Sequence, residues 1–144
     1  MRTAVVAVLA TAAVACSGGG DPAVTVTAVP SAHAQACERL AAKLPENLGK
    51  ELPRRDTTPE SPHVAAYGDP PVVVRCGAPA TTAYKTGDQL IDVNGVAWFY
   101  EERGPVVVWS LPRSFVNVEV TVPTAWTGDR LSHLTDAVKA AQGI

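Results

Sequence analysis

The chain lacks most of the signatures that would assign it a chemistry. It has no G-x-S-x-G nucleophile elbow, no P-loop and no Rossmann glycine pattern. Its histidines, His33, His63 and His133, stand at no metal-ligand spacing to one another, so neither a metal nor a cofactor is expected. Basic residues are scattered except for Arg54-Arg55, and the net charge is −2. A nucleic-acid partner requires a clustered basic face, and none is expected here. No catalytic residue can be assigned either. A Ser-His-Asp set could be drawn from Ser110, Ser132, His63 or His133, but triads are defined by geometry, and caps or surface hydroxyls are the ordinary role of such residues. Glu101-Glu102 reads as a solvated hairpin end, because strand neighbours point to opposite faces.

Cysteine is also scarce, and the count of three carries information. Met1-Arg2 followed by an apolar run over 4–15 has the form of a signal peptide, too short for a spanning helix of roughly 20 residues. Two readings of its end compete. Ala13-x-Ala15 suits ordinary signal-peptidase cleavage and a freely secreted chain. Alternatively, Cys16 closes a lipobox, although Ala13 stands where Leu is usual. Parity favours the lipid. An odd thiol in an exported protein is unusual, and acylating Cys16 leaves Cys37 and Cys76 to pair in an oxidising compartment. Residues 1–15 are then a signal peptide, 16–31 a lipid-anchored flexible tether, and 32–144 one globular domain on the outer face of the cytoplasmic membrane.

Within that domain, residues 32–44 predict a helix with Cys37, Leu40, Ala41 and Leu44 on one stripe, Ser31 as N-cap and Pro45 as the stop. Residues 45–70 have no clear periodicity and read as a surface wrap, with one helical turn over 47–52 packing Leu48 and Leu52 inward. Val72-Val-Val-Arg-Cys76 predicts a strand that puts Val72, Val74 and Cys76 on the core face and Arg75 on the other. Both Cys37 and Cys76 thus point into the same layer, as a disulfide requires.

Asn94-Gly95 predicts a two-residue hairpin that pairs Val93 with Val96, Ile91 with Trp98 and Gln89 with Tyr100. Strands over 106–110 and 115–122 follow, the second with Val116, Val118, Val120 and Val122 inward. Residues 129–141 predict a closing helix with Leu131, Leu134, Val138 and Ala141 on one stripe, a cap at Thr127 or Asp129, and Gly143 at its end. The expected fold is α+β in two layers. It has a mostly antiparallel sheet of about five strands, the last four a meander, with two helices packed on one face and one disulfide.

These motifs resemble a known family. Cys37 on a helix ending Leu44-Pro45, Tyr67-Gly68-Asp69-Pro70, Val72 to Gly77 with its Arg-Cys-Gly, Asp92-Val-Asn-Gly-Val-Ala-Trp98 and Val122-Pro123 resemble the actinobacterial exported family called domain of unknown function 3515. The resemblance covers about 36–141. It implies export, often with a lipid anchor, and agrees with the disulfide. It implies no activity, and Tyr67 stands where members often carry Trp.

Arg75 needs a partner in so apolar a strand. Bracing by Asp69, Glu119 or the 101–102 carboxylates is the plainer role. The alternative is an anion or ligand contact walled by Tyr67, Trp98 or Trp109. Trp98 is expected in the core, whereas Trp109 or Trp126 could serve a binding surface. The preferred function is a non-enzymatic binding or accessory lipoprotein whose partners are the membrane, through lipid on Cys16, and a protein or cell-wall ligand. The alternative is a small envelope hydrolase or transferase with a site assembled only in three dimensions.

Overall fold

A computed structural model describes residues 20–29, 32–126 and 129–144. The signal segment 1–15, Cys16 and the caps expected at Ser31 and Thr127 lie outside the described residues. In chain order the strands are β1 (Val24–Thr25), β2 (Arg54–Arg55), β3 (Thr57–Thr58), β4 (Val64–Tyr67), β5 (Val72–Cys76), β6 (Ile91–Val93), β7 (Val96–Arg103), β8 (Val106–Ser110) and β9 (Val118–Pro123). The helices are α1 (Ala34–Lys43) and α2 (Thr135–Gln142), the latter preceded by a 3₁₀ helix over Asp129–Leu134. The fold is α+β, but the sheet is larger than expected. Seven antiparallel strands run in the order β2-β4-β5-β9-β8-β7-β6, and β1 and β3 form a separate parallel pair.

Local chemistry explains the elements that match expectation. α1 stops where Leu44 turns extended ahead of Pro45. Asn94 and Gly95 both take positive φ, 53° and 84°, as a tight hairpin turn demands, and the predicted Val93–Val96 and Ile91–Trp98 pairs form. Val116, Val118, Val120 and Val122 are all buried, although the strand itself begins only at Val118. Before it, the Asn117 side chain accepts from Leu111 N and donates to the carbonyls of Ala78 and Pro79, bonds that replace a ladder there.

Five expectations are corrected. Residues 45–70 are not a wrap but contain β2, β3 and β4; β4 is buried along its whole length. Residues 47–52 form no helical turn. An Asn47–Pro53 bridge closes them into a tight loop, with Leu48 N donating to Leu52 O at 2.8 Å, while Leu48 and Leu52 still point inward. β6 begins at Ile91, so Gln89 and Tyr100 do not pair. Glu101 and Glu102 belong to β7, whose turn to β8 is Gly104-Pro105. The closing helix begins as 3₁₀ rather than α, although its four stripe residues are all buried.

The core unites three sources. α1 contributes Ala36, Cys37 and Leu40; the closing helical segment contributes Leu131, Leu134, Ala137, Val138 and Ala141; the sheet contributes alternate residues of β5, β7 and β9 with Trp98 and Tyr67. Arg39, on the exposed side of α1, donates to the carbonyls of Ala140 and Ala141 and so caps the end of α2. Cys37 and Cys76 are bonded, with their Cα atoms 5.5 Å apart, and both are fully buried. The bridge ties α1 directly to β5.

Residues 22–29, expected within a flexible tether, are instead docked. Val24 N donates to Asp56 O and Val26 N to Thr58 O, and Val29 is buried. Val64 and Ala66, which share the sheet face of Arg75, are buried as well as Ala65 and Tyr67. No helix among the described residues is long and apolar enough to cross a membrane.

Candidate functional site

Strand register separates Arg75 from Tyr67 and Trp109, the residues grouped from sequence as a candidate ligand contact. Tyr67 is opposite Val72, and Trp109 is opposite Val120, both on the helix-facing side; Arg75 is opposite Glu119 on the other side. Tyr67 is wholly buried. Its hydroxyl donates to Pro45 O at 2.9 Å, and the Arg54 guanidinium lies over its ring at 5.8 Å. Burial, more than the opposing Arg54 charge, pushes its phenol above the ordinary tyrosine range, so the hydroxyl remains a neutral donor. Tyr67 therefore joins loop to core.

Arg75 donates from Nη1 to Glu119 Oε1 at 2.8 Å, the bracing role. Its Nε is buried with no partner among the described residues. With side-chain exposures of 22% and 18%, this pair is half-screened and its worth is modest. We expect Arg75→Lys to keep the pair and shift unfolding free energy by less than about 1 kcal/mol in urea titrations. A loss several times larger would mean that the guanidinium fork itself braces the sheet.

On the same face, the 78–90 loop covers β7. Thr81 Oγ1 donates to Glu101 Oε2 at 2.6 Å, Arg103 donates to both Glu101 oxygens at 3.0 Å, and Tyr84 meets Phe99 edge-on at 5.4 Å between centroids. Desolvation acts to raise the Glu101 carboxyl, but the Thr81 and Arg103 bonds more than offset it and hold it below the ordinary range. This carboxylate is a clasp for the loop. Glu102, on the other face of β7, is exposed.

The helix-facing side offers the better site. The helices bury Trp98 and Val96 but leave the far halves of β7 and β8 uncovered. There Tyr100, 43% exposed, is opposite Trp109, and their rings lie 5.4 Å apart, tilted by 37°. Trp126, just past β9, donates Nε1–H to Pro70 O at 2.7 Å, which fixes the ring at the sheet's end. Arg130 stands 5.7 Å from the Trp126 centroid. Its Nη1 donates to Leu48 O and its Nη2 to Glu51 Oε2, both at 3.2 Å, while its Nε has no partner among the described residues.

Val107, Trp109, Val122, Trp126, Arg130 and Leu131 enclose a cleft of about 250 Å³. Beyond Tyr100, a wider hollow of about 580 Å³ is lined by Asp88, Gln89, Ile91, Phe99, Tyr100 and Glu102. The result is a strip of aromatic faces with a guanidinium at one end and the Glu102 carboxylate at the other, where Phe99 lines the hollow from the opposite face of β7. Such a strip stacks on flat or ring-shaped apolar surfaces and takes hydrogen bonds at its rim.

Of the residues considered from sequence, Trp109 and Trp126 lie in this strip, whereas Arg75 and Tyr67 do not. Tyr100 and Arg130 were missed; the one signal was Arg130 lying four positions after Trp126. His33 meets Phe115 edge-on, His63 Nδ1 lies 3.4 Å from Val29 O, and His133 is exposed. Among the described residues no group of three or more His, Cys, Asp or Glu side chains could hold a metal.

No curated protein and no solved structure matches the chain. The model of the family described as protein of unknown function (DUF3515) matches residues 2–143, nearly the full length, and the chain belongs to that family.

Proposed function

We propose that the protein is an exported cell-envelope lipoprotein, anchored through an acyl group on Cys16 to the outer face of the cytoplasmic membrane, and that it acts as a non-enzymatic binding module. The observation that carries the binding reading is the uncovered strip of Tyr100, Trp109 and Trp126, with Arg130 at its end. A core-forming sheet face normally buries its aromatic residues under helices. Here that cover stops short, and aromatic rings offer rigid contact area at low entropic cost.

Flat rings with donors and carboxylates at the rim suit the C–H face of a sugar. We therefore assign a cell-wall glycan as the ligand class, with Arg130 and Glu102 facing its hydroxyls. The test is a tryptophan-fluorescence titration of the full chain with soluble glycan fragments released from the cell wall. Saturable binding is expected, and Tyr100→Ala, at an exposed position, should weaken it about tenfold, or 1.4 kcal/mol. A wild-type protein with no saturable response, or a Tyr100→Ala variant that binds equally well, would refute the assignment.

A further inference from the structure

Residues 22–29 form a strap that runs from Arg55 along β3 to His63 in a defined direction. Arg55 grips its start, donating from Nη2 to Pro22 O at 2.6 Å and from Nη1 to Gly68 O at 2.8 Å. Val24 and Thr25 then run parallel to Thr57 and Thr58, and Val29 ends beside His63, just before β4. Arg55 is opposite Ala66, and β4 runs from Val64 to Tyr67. The strap therefore enters at the Tyr67–Gly68 end of the sheet and leaves at the opposite end.

Three other features share the entry end. They are the turn after Gly68, the Gly104-Pro105 turn, and Trp126, joined to the first through Pro70 O. Thr124 joins the second, its N and its Oγ1 both donating to Pro105 O.

Chain length converts this into a position. Pro22 lies six residues beyond Cys16, so at full stretch the two Cα atoms are no more than about 20 Å apart. Were 22–29 free, the reach from Cys16 to the start of α1 at Ala34 would be about 60 Å. We propose that the docked strap holds the entry end of the domain against the phospholipid headgroup layer, with Trp126 at headgroup level and the Trp109–Trp126 cleft opening beside the membrane. Trp126 is half-buried at this end, and although its Nε1–H is already given to Pro70 O, indole rings concentrate at that depth. The exposed Phe115 then projects from the opposite end, away from the bilayer. The proposal rests on the Cys16 anchor, and the test separates the two.

The lipidated full chain is reconstituted in phosphatidylcholine vesicles carrying a headgroup spin label, and tryptophan quenching is measured alongside sedimentation with the vesicles. Quenching is expected in the wild type, and Trp126→Phe should remove most of it. Inserting ten Gly/Ser residues between Gly19 and Gly20 lengthens the tether without touching the fold and should reduce quenching at least about twofold, as should freeing the strap with Val24→Pro and Arg55→Ala. A chain that sediments with vesicles yet shows no Trp126-dependent quenching, or quenching unchanged by the insertion, overturns the proposal and leaves the anchor standing. A wild-type chain that does not sediment, or a Cys16→Ala chain that still does, overturns the anchor and the proposal with it.

Discussion

Replacing Cys37 and Cys76 together by Ala should lower the melting temperature by about 15 °C. The bridge closes a loop with a sequence separation of 39, which in the chain-entropy picture restricts the unfolded state by about 4 kcal/mol. A domain of this size has a total stability of about 5–15 kcal/mol, so the loss is a large fraction of it. At about 4 °C per kcal/mol the shift follows. Both sulfurs are fully buried between α1 and β5, so the double variant also leaves packing gaps. Thermal unfolding of the wild type with and without reductant should reproduce the difference. A shift below about 3 °C would mean that the rest of the core already confines α1 against the sheet.

Gly68→Ala should cost about 3 kcal/mol, a large effect for a single methyl group. Gly68 has φ of +71°, where any Cβ is strained, and the added carbon would overlap Leu52 Cδ2 and stand 3.3 Å from the Leu52 Cα. Leu52 cannot swing aside because it is fully buried. The position is also a junction. Gly68 N donates to Pro53 O, and Gly68 O accepts from the arginine that holds the strap. Gly104→Ala is the matched control: φ is +60° but nothing lies within 4 Å of the added carbon, so only the backbone penalty of about 1 kcal/mol applies. Denaturant titrations of the two variants should differ by about 2 kcal/mol; equal values would mean that the 47–53 loop yields easily.

What could be read from the chain before folding was whatever is written locally. The proline after Leu44, the Asn94-Gly95 turn and the period-two valines of β9 each fix backbone and side-chain direction within a few residues, and each appears as expected. The cysteine pairing was legible for a different reason: the helical and strand periods independently turned both thiols inward. β4 was not legible because its four residues are buried on both faces, so no alternation marks it, and two of them are alanines with little strand preference. β1, β2 and β3 are two residues each, too short for any period, and depend on partners remote in sequence.

The candidate site was half legible for the same reason. Aromatic residues can be noticed in a sequence, but which of them a helix leaves uncovered is decided by how far α2 reaches across β7 and β8. Arg75 drew attention because a charge among valines is conspicuous, yet its strand turns it to the face away from the aromatic strip.

The division of the three cysteines decides both anchor and architecture, and one mass measurement reads all of them. No Lys or Arg occurs between Arg2 and Arg39, and Arg75 directly precedes Cys76. Trypsin applied to the membrane-extracted protein without reduction should therefore release the 16–39 peptide, carrying an acylated Cys16, joined through Cys37 to the 76–85 peptide. An unmodified Cys16, or a Cys16 found in the bridge in place of Cys37 or Cys76, would contradict it.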